Sequence, residues 1–331
     1  MKSFVVPLFL AAFVFAGPAA AQDAQPSKGT VRVTWENDIF GGTDQGYTNG
    51  FRADYVTPRN ELPELARIAR RNLGWVSEKA DWYGTFSLGQ NMYTPEDLTR
   101  RFPDPEDRPY AGFLYASVGM VADNGKRLDT VALDFGVVGR TAQADDVQRA
   151  VHDLIGADDP LGWRFQLRNE PGVRLLFERK YRYAVDFDLE FADLQAGFAP
   201  HYGIALGNVD TSAAGGFTMR IGDRLDDNYG PPRVRPAVAG PGFYEYKDGI
   251  GWYIFGGMEG RLVGRNIFIE GNTFRNSPNV EPHRVVADAN IGFALQLGNV
   301  ELSYTHVFRS PEFQGQRGIA QFGSFSASYR F

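Results

Sequence analysis

Thr30-Val31-Arg32-Val33-Thr34-Trp35-Glu36-Asn37-Asp38 and, after a short break, Thr43-Asp44-Gln45-Gly46-Tyr47-Thr48-Asn49-Gly50-Phe51-Arg52-Ala53-Asp54-Tyr55 form the stretch on which the reading of this chain turns. Val31, Val33 and Trp35 alternate with Thr30, Arg32 and Thr34; Phe51, Ala53 and Tyr55 alternate with Arg52 and Asp54. A period of two marks a strand with two unlike faces. Between the two alternating runs lies a concentration of acid, amide and hydroxyl groups. It falls at one rim of a sheet, where strand ends meet loops. Such a place suits holding a metal ion or polarising a carbonyl.

The same alternation recurs along the chain. Strand-like runs cover 30–38, 47–57, 82–92, 110–122, 128–138, 172–185, 186–207, 213–223, 250–259, 285–297, 299–309 and 322–331. Several reach about ten residues, enough to cross a hydrocarbon layer at a barrel tilt. Tight turns are expected at Ala122-Asp123-Asn124-Gly125 and Gly298-Asn299, and longer insertions at 58–81, 93–109, 139–171 and 224–249. Short turns alternating with long loops are the topology of an outer-membrane barrel. The last strand agrees: Phe325, Ala327, Tyr329 and Phe331 alternate with Ser326, Ser328 and Arg330, and Phe331 ends the chain. The 26 Phe, 15 Tyr and 5 Trp gather near strand ends, as aromatic girdles at the two membrane interfaces do. On composition alone an aromatic-cored β-sandwich competes. The long alternating runs favour an all-β fold, a transmembrane antiparallel barrel of about twelve strands.

The amino terminus supports export. Lys2 precedes a short apolar run from Phe4 to Phe15, and Ala19-Ala20-Ala21 supplies small residues for cleavage. Residues 1–21 are therefore expected to be a signal peptide and 22–331 a single barrel domain in the Gram-negative outer membrane. The chain has no cysteine, so a disulfide framework is excluded. With a formal net charge of −6 and no basic stripe, nucleic acid is excluded as a partner.

Two insertions read as helical. Leu62, Leu65, Ala66, Ile68 and Ala69 have helical spacing within 62–72. In the second, Asp145 or Asp146 is expected to cap a helix running to Ile155, with Gly156 as its stop. Val147, Val151, Leu154 and Ile155 make an apolar stripe expected to lie on the barrel wall, and this turns His152 into the seam. Gln148 lies one turn before His152. A neutral imidazole is the usual general base near neutral pH, although a lone helical histidine is more often a packing residue. Asp153, Asp158 and Asp159 stand near enough in sequence to orient an imidazole or hold a hard cation, although a helix cap and a solvated turn explain most of them. No G-x-S-x-G and no H-E-x-x-H occurs, which disfavours an activated serine and a zinc site.

Taken together, Glu36-Asn37-Asp38, Tyr47-Thr48-Asn49-Gly50, Gln90-Asn91-Met92-Tyr93-Thr94-Pro95, Asp107-Arg108-Pro109-Tyr110-Ala111-Gly112, Val147-Gln148 through His152 to Gly156, and Gly162-Trp163 with Gln166 resemble the outer-membrane lipid A 3′-O-deacylases. The resemblance spans essentially the whole mature chain. It implies a twelve-stranded barrel with its site between the outer part of the wall and a loop helix. It also implies roles: Asn37 and Asp38 as the pair needed for activity, Thr48 on the second strand, His152 as the base that activates water, and Gln148 beside it. Arg100 stands where the family can carry a lysine facing the oxyanion. Asp158 stands where it can carry a glutamate. Calcium is the implied metal, with Asp38 and Asp158 as its carboxylates. The implied reaction is hydrolysis of 3′-linked acyl chains of lipid A by a monomer among outer-membrane lipids. A phospholipase-like hydrolase and a non-enzymatic barrel of the same fold are the competing functions.

Overall fold

A computed structural model describes residues 29–42, 46–70, 79–157, 159–183, 185–189, 194–223, 225, 229–230 and 249–331. The expected signal peptide, 1–21, lies outside them. The alternating runs become strands β1 (Thr30–Asn37), β2 (Gly46–Val56), β3 (Asp81–Thr94), β4 (Ala111–Asp123), β5 (Arg127–Val138), β6 (Glu170–Tyr181), β7 (Val185–Leu189), β8 (Leu194–Gly207), β9 (Asp210–Gly222), β10 (Ile250–Asn266), β11 (Val285–Leu297), β12 (Val300–Arg309) and β13 (Ala320–Arg330). All paired neighbours are antiparallel. β1 pairs with β2 on one side and β13 on the other, and β6 and β7 both pair with β8. Lys180 of β6 faces His201, and Val185 of β7 faces Phe198. The two are therefore segments of one wall strand, and twelve wall strands close the barrel.

Three features differ from the sequence reading. The run 186–207 divides into β7 and β8, which pair with each other as a hairpin. The run 250–259 continues to Asn266. The long connections 57–80 and 223–249 leave the barrel at the rim that carries both chain ends, so loop length does not sort the two rims. Helix α1 (Glu64–Arg70) occupies the first of these connections, shorter than 62–72, of which 71–72 lie outside the described residues. The expected turn at 123–125 forms for a local reason. Asp123 Oδ1 accepts from Gly125 N at 2.7 Å, Asn124 Oδ1 from Arg127 N at 2.9 Å, and Gly125 has φ of 82°. Only a residue without Cβ adopts that φ readily.

The polarity of the wall is inverted relative to a soluble protein. Large apolar side chains such as Leu88, Leu175, Ile254 and Ile291 are exposed on the outer face. Polar side chains of the intervening residues are buried in the lumen and tied to one another. Arg52 Nε reaches Asp54 at 2.6 Å and its Nη2 reaches Ser87 at 3.0 Å. Arg174 grips Asp134 through Nε at 3.0 Å and Nη2 at 2.6 Å. Such charges stay in a low-dielectric interior only when paired. No described helix is long and apolar enough to cross a membrane.

Near the rim opposite the termini the lumen is packed rather than open. Tyr47, Tyr93, Phe113, Tyr115, Phe268 and Phe322 form a buried aromatic layer, with Tyr93 stacked on Phe268 at 4.1 Å. The one-turn helix α2 (Ile267–Glu270) carries Phe268 inward, fixed by Asn266 Oδ1 accepting from Phe268 N at 3.0 Å. Glu312 sits in this region, 3.1 Å from Arg108, 3.5 Å from Arg309 and 3.6 Å from Arg261. Burial alone would raise its carboxyl, but Arg309, Arg108 and Arg261 hold it below the usual carboxylate range.

This polarity generates a prediction. Leu88, 65% exposed at mid-strand on β3, should face hydrocarbon. Leu88→Arg should lower the stability of the folded barrel in phospholipid vesicles by about 2–4 kcal/mol, measured by urea titration, and Leu88→Phe should not. Equal stability of the two variants would show that this face is not in lipid.

Candidate active site

Along β1 the outer face runs Val31, Val33, Trp35, Asn37: two aliphatic residues, an indole, then an amide. A strand advances about 3.3 Å per residue, so polarity changes over roughly 7 Å at the rim opposite the termini. Strand β2 makes the same transition with a bulge. Its register against β3 shifts between Tyr47, opposite Tyr93, and Asn49, opposite Met92. A bulge re-aims side chains by inserting one extra residue. Here Tyr47 enters the lumen core with Tyr93. Thr48 instead reaches Thr94, Oγ1 to Oγ1 at 2.6 Å, on the face of β3 that carries Leu88, Gln90 and Met92.

The wall amides are locked. Asn49 Oδ1 accepts from Trp35 Nε1 at 2.8 Å and from Asn37 Nδ2 at 3.1 Å. Asn37 Oδ1 accepts from Ile39 N at 2.8 Å and so caps the tight turn Asp38–Gly41, which Gly42 ends with φ of 73°. Asp38 is thereby fixed in the first residue of that turn, 2% exposed.

Across β3 and β4 lies helix α3 (Ala144–Ile155). Its cap differs from the sequence reading. Gln143, with φ of 56°, precedes the helix, and Asp145 and Asp146 stand in the first turn, where negative charge complements the helix dipole. Gly156 stops it as expected, with φ of 73°, and the His152 carbonyl accepts from Gly156 N and Ala157 N. The wall-facing side also differs. Val151 and Leu154 are exposed, whereas Ala144, Gln148 and His152 are buried, His152 to 5% exposure. Gln148 is tolerated inside because the Trp163 indole N–H satisfies its side-chain oxygen.

The helix sits close because β4 makes room. A Cβ on Gly112 would lie 2.6 Å from Ala144 Cβ. Gln90 Nε2 donates to the Ala142 carbonyl at 2.6 Å. Met92, Tyr110, Ala144 and Trp163 form a buried cluster with Val147 and Leu98 packed on it. Trp163 Nε1 donates to Gln148 Oε1 at 2.6 Å, and its ring lies 4.8 Å from that of Tyr110. The Gln148 carbonyl is thus held by an indole, an arrangement that sequence spacing does not reveal.

Asn37, Asp38, Thr48, Gln148 and His152 all belong to this rim, on the wall and on the helix that covers it. Arg100 lies on the loop that follows β3. Its Nη1 pairs with Asp104 at 2.7 Å, both half-exposed, in a cleft of about 630 Å³ between loops 95–110 and 310–319. The Glu106 backbone N–H and then the Arg100 guanidinium hold the Asp104 carboxyl below its usual range. Asp158 lies outside the described residues. Among those described, no three His, Asp or Glu side chains converge on one point. Asp38 is a buried carboxylate at the end of β1, and the neighbouring outer-face positions Asn37, Asn49, Thr48 and Thr94 carry amide and hydroxyl groups. That chemistry fits a hard oxygen-seeking cation. Sequence reasoning assigned no role to Trp35, Asn49, Thr94 or Trp163, although Asn49, Thr94 and Trp163 lie within the quoted motifs. The available signal was polar residues at outer-face positions of β1–β3.

A family profile described as "Outer membrane protein LpxR" matches residues 8–331. Among solved structures, LpxR from Salmonella typhimurium superposes with a TM-score of 0.74 at 19% identity, covering 91% of this chain and 100% of that one. The β domain of the Bordetella autotransporter Brka reaches a TM-score of only 0.43 at 13% identity, covering 93% and 99%. No curated protein sequence matches.

The close approach at Gly112 is testable. Gly112→Val should push α3 off the wall, because a side chain there meets Ala144 and Ala142. Limited proteolysis should cut the 139–169 loop faster in the variant while the barrel stays folded. Unchanged cleavage would mean that the helix is not docked at this glycine.

Proposed function

Because this chain belongs to the LpxR family of outer-membrane proteins, the lipid A 3′-O-deacylases that its motifs resemble, we propose that it hydrolyses 3′-linked acyl esters of lipid A at the outer rim of its wall. One observation carries the reading: at one rim of the barrel the outer face of the wall turns polar at Asn37, Thr48 and Thr94, and α3 lies over the neighbouring strands β3 and β4 with Gln148 and His152 buried. Polar groups are costly on that face, and an acyl ester at the boundary between sugar and hydrocarbon is the substrate that would meet them there.

In this reading His152 takes a proton from water as the water oxygen bonds to the ester carbonyl carbon. The tetrahedral intermediate collapses by breaking the bond between that carbon and the 3′ oxygen. His152 returns the proton to the leaving oxygen, so a fatty acid and a free hydroxyl result. Gln148, its carbonyl fixed by Trp163, orients the imidazole. Asn37 has Oδ1 and one Nδ2 hydrogen committed within the wall, which leaves one N–H for the substrate. Thr48 shares its hydroxyl with Thr94. Asp38 and Asp158 would hold calcium, which supplies positive charge near the developing oxyanion. Arg100 would add a second positive charge. Its pair with Asp104 is exposed to solvent on both sides, and such pairs restrain a guanidinium only weakly.

Two outcomes are expected. His152→Ala should cut acyl release from purified lipid A by about 10²–10⁴-fold and leave the barrel folded, as read by mass spectrometry of the lipid and heat-modifiable gel mobility. Near wild-type turnover in this variant would rule out the mechanism. For the metal, excess chelator should abolish release and added calcium should restore it. Full activity in chelator would remove the cation from the reaction.

A further inference from the structure

Beside the first half of α3 lies a cleft of about 480 Å³ that Asp145, Arg149 and Trp163 help to line. Arg140, Arg149, Arg164, Arg168 and Arg275 line it against the single carboxylate of Asp145. Arg149 is engaged by Asp146 at 2.6 Å. Arg140, Arg164, Arg168 and Arg275 are exposed, and among the described residues none of the four forms an ion pair; Arg164 lies over the Phe165 ring. Four guanidiniums that form no ion pair with a described residue stand around one concavity; they repel one another, and a bound anion relieves that repulsion.

The cleft is built from three loop segments that side-chain amides clamp together. Asn272 Oδ1 accepts from Arg168 N and its Nδ2 donates to the Arg168 carbonyl, both at 2.8 Å. Asn169 Oδ1 accepts from Thr141 N at 2.9 Å. The positions of Arg140, Arg168 and Arg275 are thus set by folded structure. Two further lining residues, Gln166 and Asp145, each carry a buried oxygen without a hydrogen-bond partner, acceptors of the kind that sugar hydroxyls satisfy. Guanidiniums present fixed forks of donors that match phosphate oxygens.

Trp163 lines this cleft and also donates to Gln148, so the cleft and the candidate active site share a side chain. We infer that the cleft is a subsite for an anionic, phosphorylated sugar head group, which it holds while the attached acyl chain lies against the wall. This rests on the proposed deacylase reading and adds to it the part of the substrate that the wall residues do not recognise.

The test uses the full barrel in detergent, lipid A with its phosphates, the same lipid A after enzymatic dephosphorylation, and the triple variant Arg140→Gln/Arg168→Gln/Arg275→Gln. Heat-modifiable gel mobility reports whether the variant folds. The variant should raise KM for phosphorylated lipid A about tenfold, the scale of losing charge-assisted contacts at a partly screened site, with kcat little changed. It should also erase the wild-type preference for the phosphorylated form. Equal KM for both lipids in the wild type, or no change in the variant, would overturn the proposal.

A binding arm is independent of turnover. The His152→Ala protein should retain phosphorylated lipid A in an arginine-dependent way, and it should retain phosphatidylglycerol much less. Equal retention of both would assign the cleft to anionic lipid in general and reject the sugar head group. Should the wild type hydrolyse neither lipid A yet bind the phosphorylated form through these arginines, the subsite would stand and the hydrolytic reading would fall.

Discussion

Closure of the sheet, through the ladder that pairs Thr30–Asn37 with Ala320–Arg330, is the constraint on which the rest of this structure depends. In hydrocarbon a backbone N–H or C=O without a partner costs several kcal/mol, so a spanning sheet must have no edge. Closure then dictates the side chains. Every strand has one face toward lipid and one toward the lumen, and the period of two follows. The lumen charges, such as Arg174 on Asp134 and Arg309 on Asp288, are tolerated because closure surrounds them with partners. The same closure makes the wall rigid enough to hold a loop helix at one height.

The candidate site occupies the places where the pattern is broken. Thr48 is an extra residue in β2 and brings a hydroxyl to a face that alternation would have kept apolar. Gly112 gives up a side chain on β4 so that Ala144 can approach. Gln148 and His152 take the buried side of α3 while Val151 and Leu154 are left exposed. Each breaks a local rule of sequence and structure, and such departures concentrate at functional sites. Two indoles then fix the amides on either side: Trp35 through Asn49 to Asn37, and Trp163 to Gln148.

Much of the fold was legible because its code is short-ranged. The alternation of Val31, Val33 and Trp35 with Arg32 and Thr34, or of Phe325, Ala327 and Tyr329 with Ser326 and Ser328, states face and element together. Boundaries were less legible where the code is silent. Nothing in 186–207 distinguishes one strand from a hairpin, and Asp145 reads as a cap although Gln143 takes that position in a left-handed conformation. Of the candidate site, the wall residues and His152 were reachable only through motifs. The pairing of Arg100 with Asp104 was not, because it depends on how loop 95–110 folds. The arginine cleft was invisible for a related reason. Arg140, Arg168 and Arg275 are far apart in sequence, so no basic stripe announces them, and Asn272 joins their loops across 104 positions.

A candidate site on the outside of a barrel changes what the lumen is for. The aromatic layer of Tyr93, Phe113, Phe268 and Phe322, with Arg108, Arg261 and Arg309 around Glu312, fills the lumen near the rim that bears the site. A porin-like function would need that space open. Filled, it braces the wall from within at the height where Asn37, Thr48 and Thr94 face outward. Arg108 shows the coupling most directly. It stands at the base of the loop that carries Arg100, packs over Tyr93 at 4.8 Å, and pairs inward with Glu312. Tyr93 in turn lies opposite Tyr47, the residue beside the Thr48 bulge. Under the proposed function the substrate arrives by lateral diffusion in the membrane, so the lumen is free to serve as the buttress that keeps the outer wall in shape.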